Sequence, residues 1–148
     1  MLKNRKNKKK KGFTLIELVI VLAVMAIIAL IAIPNFTAIR DNSKTKADER
    51  SREVIERTML MLVSDETILD SGKYTVTFEN KTIKNVVASE LPSPLPSGIT
   101  ATSLQTEVKK ALNDVKVPQA KEHQSATAAN TGYTITITAG EVNVAYTA

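Results

Sequence analysis

Residues 13–33 read FTLIELVIVLAVMAIIALIAI, a stretch of 21 residues in which Thr14 and Glu17 are the sole polar side chains. From Leu18 to Ile33, sixteen apolar residues follow one another without interruption. As a helix the stretch rises about 31 Å, the thickness of a bilayer's hydrocarbon core. A helix buried in a soluble domain shows an apolar stripe, whereas apolarity around the whole circumference at this length predicts insertion in a membrane. Whatever else the chain folds into must be attached to that helix.

The flanks orient it. Lys3, Arg5, Lys6, Lys8, Lys9, Lys10 and Lys11 come before any acidic residue. The positive-inside rule then places residues 1–12 in the cytoplasm and Asn35 onward outside, a single-pass chain with its N-terminus in and its C-terminus out. The formal charge of +5 belongs to this leader, because the rest of the chain carries 13 Lys and Arg against 15 Asp and Glu. A basic leader that topology already explains is poor support for a nucleic-acid partner, and six aromatic residues without Trp give few stacking surfaces. No clear nucleic-acid site is expected.

Other classes fall to composition. Without Cys there is no disulfide, no thiolate metal site and no cysteine nucleophile. His123 is the single histidine and is read as a solvated polar residue rather than half of an acid–base pair. No catalytic constellation, metal site or cofactor is expected, and the chain is read as not an enzyme.

Beyond Pro34 the helical pattern continues, with Phe36, Ile39, Ala47, Val54, Ile55, Met59, Leu62 and Leu69 recurring among charges that include Asp48, Glu49, Glu53 and Arg57. Pro34 lacks a backbone donor, so a bend or a local unwinding is expected there. One helix is expected from about Thr14 to Leu69, ended by Ser71-Gly72. Tyr74–Phe78 and Thr82–Val87 read as strands, and Leu91–Gly98 as a proline-stiffened connector. A helix over Leu104–Val117, capped by Ser103 and stopped by Pro118, presents Leu104, Val108, Ala111, Leu112 and Val115 on one face. A loop follows from Lys116 to Thr131. The chain closes on a hairpin, Tyr133–Thr138 and Glu141–Thr147 around Ala139-Gly140, with Tyr133, Ile135 and Ile137 on one face of the first strand and Val142, Val144 and Tyr146 on one face of the second.

Two N-terminal features exceed what an anchor needs. Gly12 separates the lysine run from the apolar span, and Glu17 places a carboxylate inside it. An ionisable group in a membrane helix is a functional residue by default. A cut between Gly12 and Phe13 would remove seven positive charges and create an α-amino group beside Glu17 of the same or a neighbouring copy. A secretory signal peptide fits less well, since the apolar run exceeds the usual h-region and no small-x-small cleavage site closes it. A plain signal anchor leaves Glu17 unexplained.

Lys11-Gly12-Phe13-Thr14-Leu15-Ile16-Glu17, followed by the apolar run and Pro34, resembles the class III signal of type IV prepilins. The resemblance is close over residues 1 to about 40, and the long helix fits the same family. It implies cleavage between Gly12 and Phe13 by a prepilin peptidase, N-methylation of Phe13, and a role for Glu17 in docking the subunit into a growing fibre. It also implies an inner-membrane platform and an assembly ATPase as partners, beside the membrane before assembly and further copies of the chain in a helical homopolymer. The cysteine-free head resembles Gram-positive, especially clostridial, pilins and lacks the C-terminal disulfide loop of many others.

The expected fold is α+β: a long N-terminal helix, transmembrane in its first half and amphipathic in its second, packed on a small head of two to four antiparallel strands and one helix. The expected divisions are a cleaved leader at 1–12, a membrane or filament-core helix at 13–34 kinked at Pro34, its amphipathic continuation at 35–70, and an extracellular head at 71–148. The expected function is that of a pilus subunit serving motility, adhesion or aggregation, membrane-bound as the precursor and on the cell surface when mature. A pseudopilin of a type II secretion or DNA-uptake system, or a minor pilin acting as a tip adhesin, shares the same N-terminus.

Overall fold

The computed structural model describes residues 12–124 and 131–147. The leader reading for residues 1–11, and the part of the loop reading that falls on residues 125–130, lie outside the described residues. In chain order the elements are α1 (Leu15–Ser64), β1 (Gly72–Glu79), β2 (Thr82–Ser89), α2 (Ala101–Ala111), a short 3₁₀ turn (Lys121–His123), β3 (Gly132–Thr138) and β4 (Glu141–Tyr146). The chain divides into two compact units, Met1–Arg40 and Asp41–Ala148.

The described part of the first unit contains the apolar portion of α1. The helix runs through Pro34 without a break in its helical conformation, and the Thr37 hydroxyl donates to the Pro34 carbonyl at 2.8 Å.

The second unit is α+β, as expected. Its portion of α1 packs on a four-stranded antiparallel sheet of order β2-β1-β3-β4. Strict alternation along β1 turns Tyr74, Val76 and Phe78 inward, and the register sets Tyr74 against Ile135 and Val76 against Tyr133. The closing hairpin forms as the pattern predicts, pairing Tyr133 with Tyr146, Ile135 with Val144 and Ile137 with Val142. From α1, Ile55 and Met59 enter this core fully buried, one helical turn apart. From α2 come Leu104 and Val108, with Leu112 just past its end.

Both helices differ from the sequence reading at their ends. Helix α1 stops at Ser64 rather than near Leu69. Glu66 takes a left-handed φ of 54°, its N–H reaches the Val63 carbonyl at 3.0 Å, and the Thr67 N–H reaches the Leu62 carbonyl at 2.9 Å. That is a Schellman ending with glutamate in the position glycine usually fills, so no glycine announces it. For α2 the cap is Thr100, three residues ahead of Ser103. The two residues form a reciprocal box in which the Ser103 N–H donates to Thr100 Oγ1 and the Thr100 N–H donates to Ser103 Oγ, both at 3.1 Å. This helix ends at Ala111, and Leu112 and Val115 continue its buried face in the following turn.

The largest departure is Asp48. In the sequence it is one charge among many along α1, yet its side chain is 2% exposed. The carboxylate accepts the Gln119 N–H at 2.8 Å and the Ala120 N–H at 2.8 Å, and meets His123 Nδ1 at 3.0 Å. His123 is therefore not a solvated residue. It is largely buried, and its ring stacks on Tyr146 with centroids 3.6 Å apart and planes at 9°. Tyr146 lies against Tyr133 at 5.8 Å, and Tyr133 meets Phe78 edge-on at 6.0 Å. A continuous file of rings thus runs from the sheet core to the carboxylate on α1. The Thr45 hydroxyl adds a second tie by donating to Glu122 at 2.7 Å, a bond that holds the Glu122 carboxyl below its ordinary pKa.

Asp48→Ala strands two backbone N–H groups in a buried site and is expected to cost about 2–4 kcal/mol of head stability. Glu49→Ala, on the exposed face one residue on, is expected to stay within about 0.5 kcal/mol. Chemical denaturation in an uncharged detergent checks both. Burial also raises the phenol pKa values of Tyr74, Tyr133 and Tyr146 above the usual 10.0. The unfolded chain then loses these protons first as pH climbs, so stability that is full below about pH 10 declines above it. Thermal unfolding followed by circular dichroism should show that decline, and Tyr133→Phe should make it shallower.

Candidate functional site

The residues singled out at the N-terminus cluster around the start of α1. Gly12 and Phe13 lie outside the helix, and the Phe13 side chain is 93% exposed. A Cβ added at Gly12 would meet nothing within 4 Å, so the backbone on the N-terminal side of Phe13 is open to approach among the described residues.

Glu17 sits in the first turn of α1 and is tied to Thr14. One carboxylate oxygen, Oε2, accepts the Thr14 N–H at 2.8 Å and the Thr14 hydroxyl at 2.9 Å, while the Glu17 N–H donates back to Thr14 Oγ1 at 3.3 Å. This is a capping box, with Thr14 as the cap and Glu17 three residues in. It satisfies donors that the first turn of a helix otherwise leaves open, and it sets a negative charge at the positive end of the helix dipole. The sequence reading gives Thr14 no role, although Thr-x-x-Glu ahead of an apolar run is the signature of such a box. Oε1 makes no hydrogen bond among the described residues.

From this cap to Ile33 the helix surface is apolar and, among the described residues, uncovered. None of the large apolar side chains between Leu15 and Ile33 is less than half exposed, and the helix is long and apolar enough to cross a membrane. Pro34 lies 17 residues beyond Glu17, about 26 Å along the helix, so cap and proline bracket one bilayer thickness. Elsewhere, among the described residues, no group of three or more His, Asp or Glu side chains is placed to hold a metal ion. The Asp48–His123 pair is bound to backbone amides and an aromatic ring, an arrangement that fastens a loop.

Comparison with known proteins agrees with this geometry. No curated protein and no solved structure matches the chain. A family model, described as the prokaryotic N-terminal methylation motif, matches residues 7–33, which take in Gly12, Phe13, Thr14, Glu17 and the whole apolar run. The motif marks a substrate of prepilin peptidase, of pilin or pseudopilin type, and implies membrane anchoring followed by assembly through a membrane machinery. An exposed Gly-Phe junction, a capped glutamate and an unpartnered apolar helix thus fall together inside a prokaryotic N-terminal methylation motif, the class III signal of type IV pilins.

Proposed function

We propose that the chain is the structural subunit of a type IV pilus, cut between Gly12 and Phe13, N-methylated on Phe13 and polymerised through its N-terminal helix into a surface fibre. The methylation motif over residues 7–33 carries this reading. The leader, residues 1–12, holds the precursor in the membrane with its seven cations on the cytoplasmic side and is then removed. The fibre serves motility, adhesion or aggregation, and an inner-membrane platform with a cytoplasmic ATPase drives its growth.

Cleavage changes the electrostatics of the helix start. Seven positive charges leave, and Phe13 gains an α-amino group whose ordinary pKa near 7.7–8 keeps it largely cationic at neutral pH. Thr14 occupies Oε2 of Glu17, which leaves Oε1, unbonded among the described residues, for the amine of a neighbouring copy. Away from water such a pair holds only when both charges meet, which makes it selective for subunits in the right axial stagger. The apolar circumference then exchanges lipid for sister helices. Pro34 offers no N–H to the Leu30 carbonyl, and we place the kink of the packed helix there.

Mass spectrometry of the mature chain is expected to find an N-methylated Phe13 at its start, whereas a chain beginning at Met1 or cut beyond Pro34 would sink the proposal. Glu17→Ala should be processed normally yet assemble poorly or not at all, and normal fibres from this variant would remove the role given to the carboxylate. Thr14→Ala should loosen the first turn by about 1 kcal/mol, read as faster hydrogen exchange at the first amides of α1. Recovery of the chain in bulk from sheared surface fibres marks a major pilin. Retention in the membrane fraction of cells lacking such fibres marks a pseudopilin.

A further inference from the structure

Within the second unit a cavity of about 590 Å³ is lined by Lys44 of α1, Lys81 of the β1–β2 turn, and Lys116, Pro118, Gln119 and Gln124 of the segment after α2. Lysines from three separate elements line one concavity, and no Asp or Glu stands among its described lining residues. Lys44 has a distant partner in Asp41 at 3.9 Å. Lys81 and Lys116 have no ion pair among the described residues, and residues 125–130, which follow Gln124 directly, contain no charged residue. Like charges gathered in a concavity raise a positive potential that favours an anion.

The backbone at Lys81 gives a second, independent indication. Asn80 and Lys81 both take left-handed φ values, 51° and 68°, as a two-residue hairpin turn of this hand requires. Glycine suits the second position best, and the chain's other hairpin uses it, with Ala139 at 51° and Gly140 at 80°. In the β1–β2 turn a lysine stands where the fold alone favours glycine, and its side chain lines the cavity. Strain kept at one position when the same chain holds the unstrained solution elsewhere points to a use for the side chain.

We propose that this cavity binds a sugar-sized ligand bearing a phosphate or sulfate group. Lysines act as point charges toward such oxyanions. Gln119 and Gln124 add amides suited to hydroxyl groups. Gln124 spends its nitrogen on the Pro118 and Gln119 carbonyls, each at 3.3 Å, which leaves its oxygen to accept from a ligand hydroxyl. Val117, half-buried and also on the lining, supplies the apolar surface. The volume lies in the range of small-molecule sites and exceeds what a bare phosphate fills. The proposal goes beyond the fibre reading and does not depend on it.

Calorimetric titration of the full chain in an uncharged detergent, at constant ionic strength, tests it with glucose 6-phosphate, glucose 6-sulfate, inorganic phosphate and glucose. Both charged sugars are expected to bind more tightly than inorganic phosphate, with no heat from glucose, and their ratio separates phosphate from sulfate. Lys81→Gly and Lys116→Gln should each weaken binding about threefold to fivefold, the worth of one exposed ion pair. Lys73→Gln, whose ammonium pairs with Glu90 near the opposite end of β1, should leave it unchanged. Lys81→Gly should also unfold at no lower a temperature than the parent chain, so that weaker binding is not weaker folding. Failure of both charged sugars to bind at millimolar concentration, or binding left undiminished by Lys81→Gly combined with Lys116→Gln, overturns the proposal. Inorganic phosphate binding as tightly as the sugars overturns its sugar-sized part.

Discussion

Among the described residues, the large apolar side chains of α1 between Leu15 and Ile33 stay half or more exposed, and the rest of the protein answers to that fact. Large side chains that remain half or more exposed on every side of a helix forgo about 1.5–3 kcal/mol each relative to burial. Over more than a dozen residues the sum exceeds the whole stability of an ordinary domain. Such a helix requires either lipid or other apolar helices, and in the proposed function it uses both in turn.

The head meets a different difficulty. Without cysteine it has no disulfide to add to its packing. Here a polar tie works beside the core. Asp48 reaches 71 residues along the chain to Gln119 and 72 to Ala120, binding their N–H groups through a buried carboxylate. His123 covers that carboxylate and is itself covered by Tyr146, so the tie is shielded from water and continuous with the core. Hydrogen bonds to an ionised acceptor are stronger than neutral ones, and loss of the acceptor leaves buried donors unpaired. The arrangement joins α1 to a segment remote in sequence, as a disulfide would, with two backbone amides in place of a second side chain.

What the sequence made legible follows from range. The apolar run is legible from its unbroken length and the closing hairpin from its period of 2, and both appear where the sequence places them. Helix ends were harder, because Glu66 and Thr100 do their work through backbone geometry that composition barely signals. Asp48 and His123 lie 75 positions apart, and nothing near either residue distinguishes it from a surface charge or a loop histidine. The Thr14–Glu17 box was present as a short pattern, yet the carboxylate drew attention as a lone charge in an apolar span.

That last point bears on how a single carboxylate can serve both a free subunit and an assembled one. In the monomer Glu17 is not an orphan, since Thr14 supplies two donors to one of its oxygens and closes the helix start. A carboxylate already held in place loses little rotamer freedom when a cation approaches its second oxygen. In the proposed fibre, docking therefore adds a partner without breaking the cap, and both oxygens are occupied once the new amine arrives. A glutamate without Thr14 would have to be ordered and desolvated in the same event. In that proposal the threonine beside the Gly12–Phe13 junction reduces the cost of bringing a charge into an apolar bundle, while the helix around it supplies the attraction.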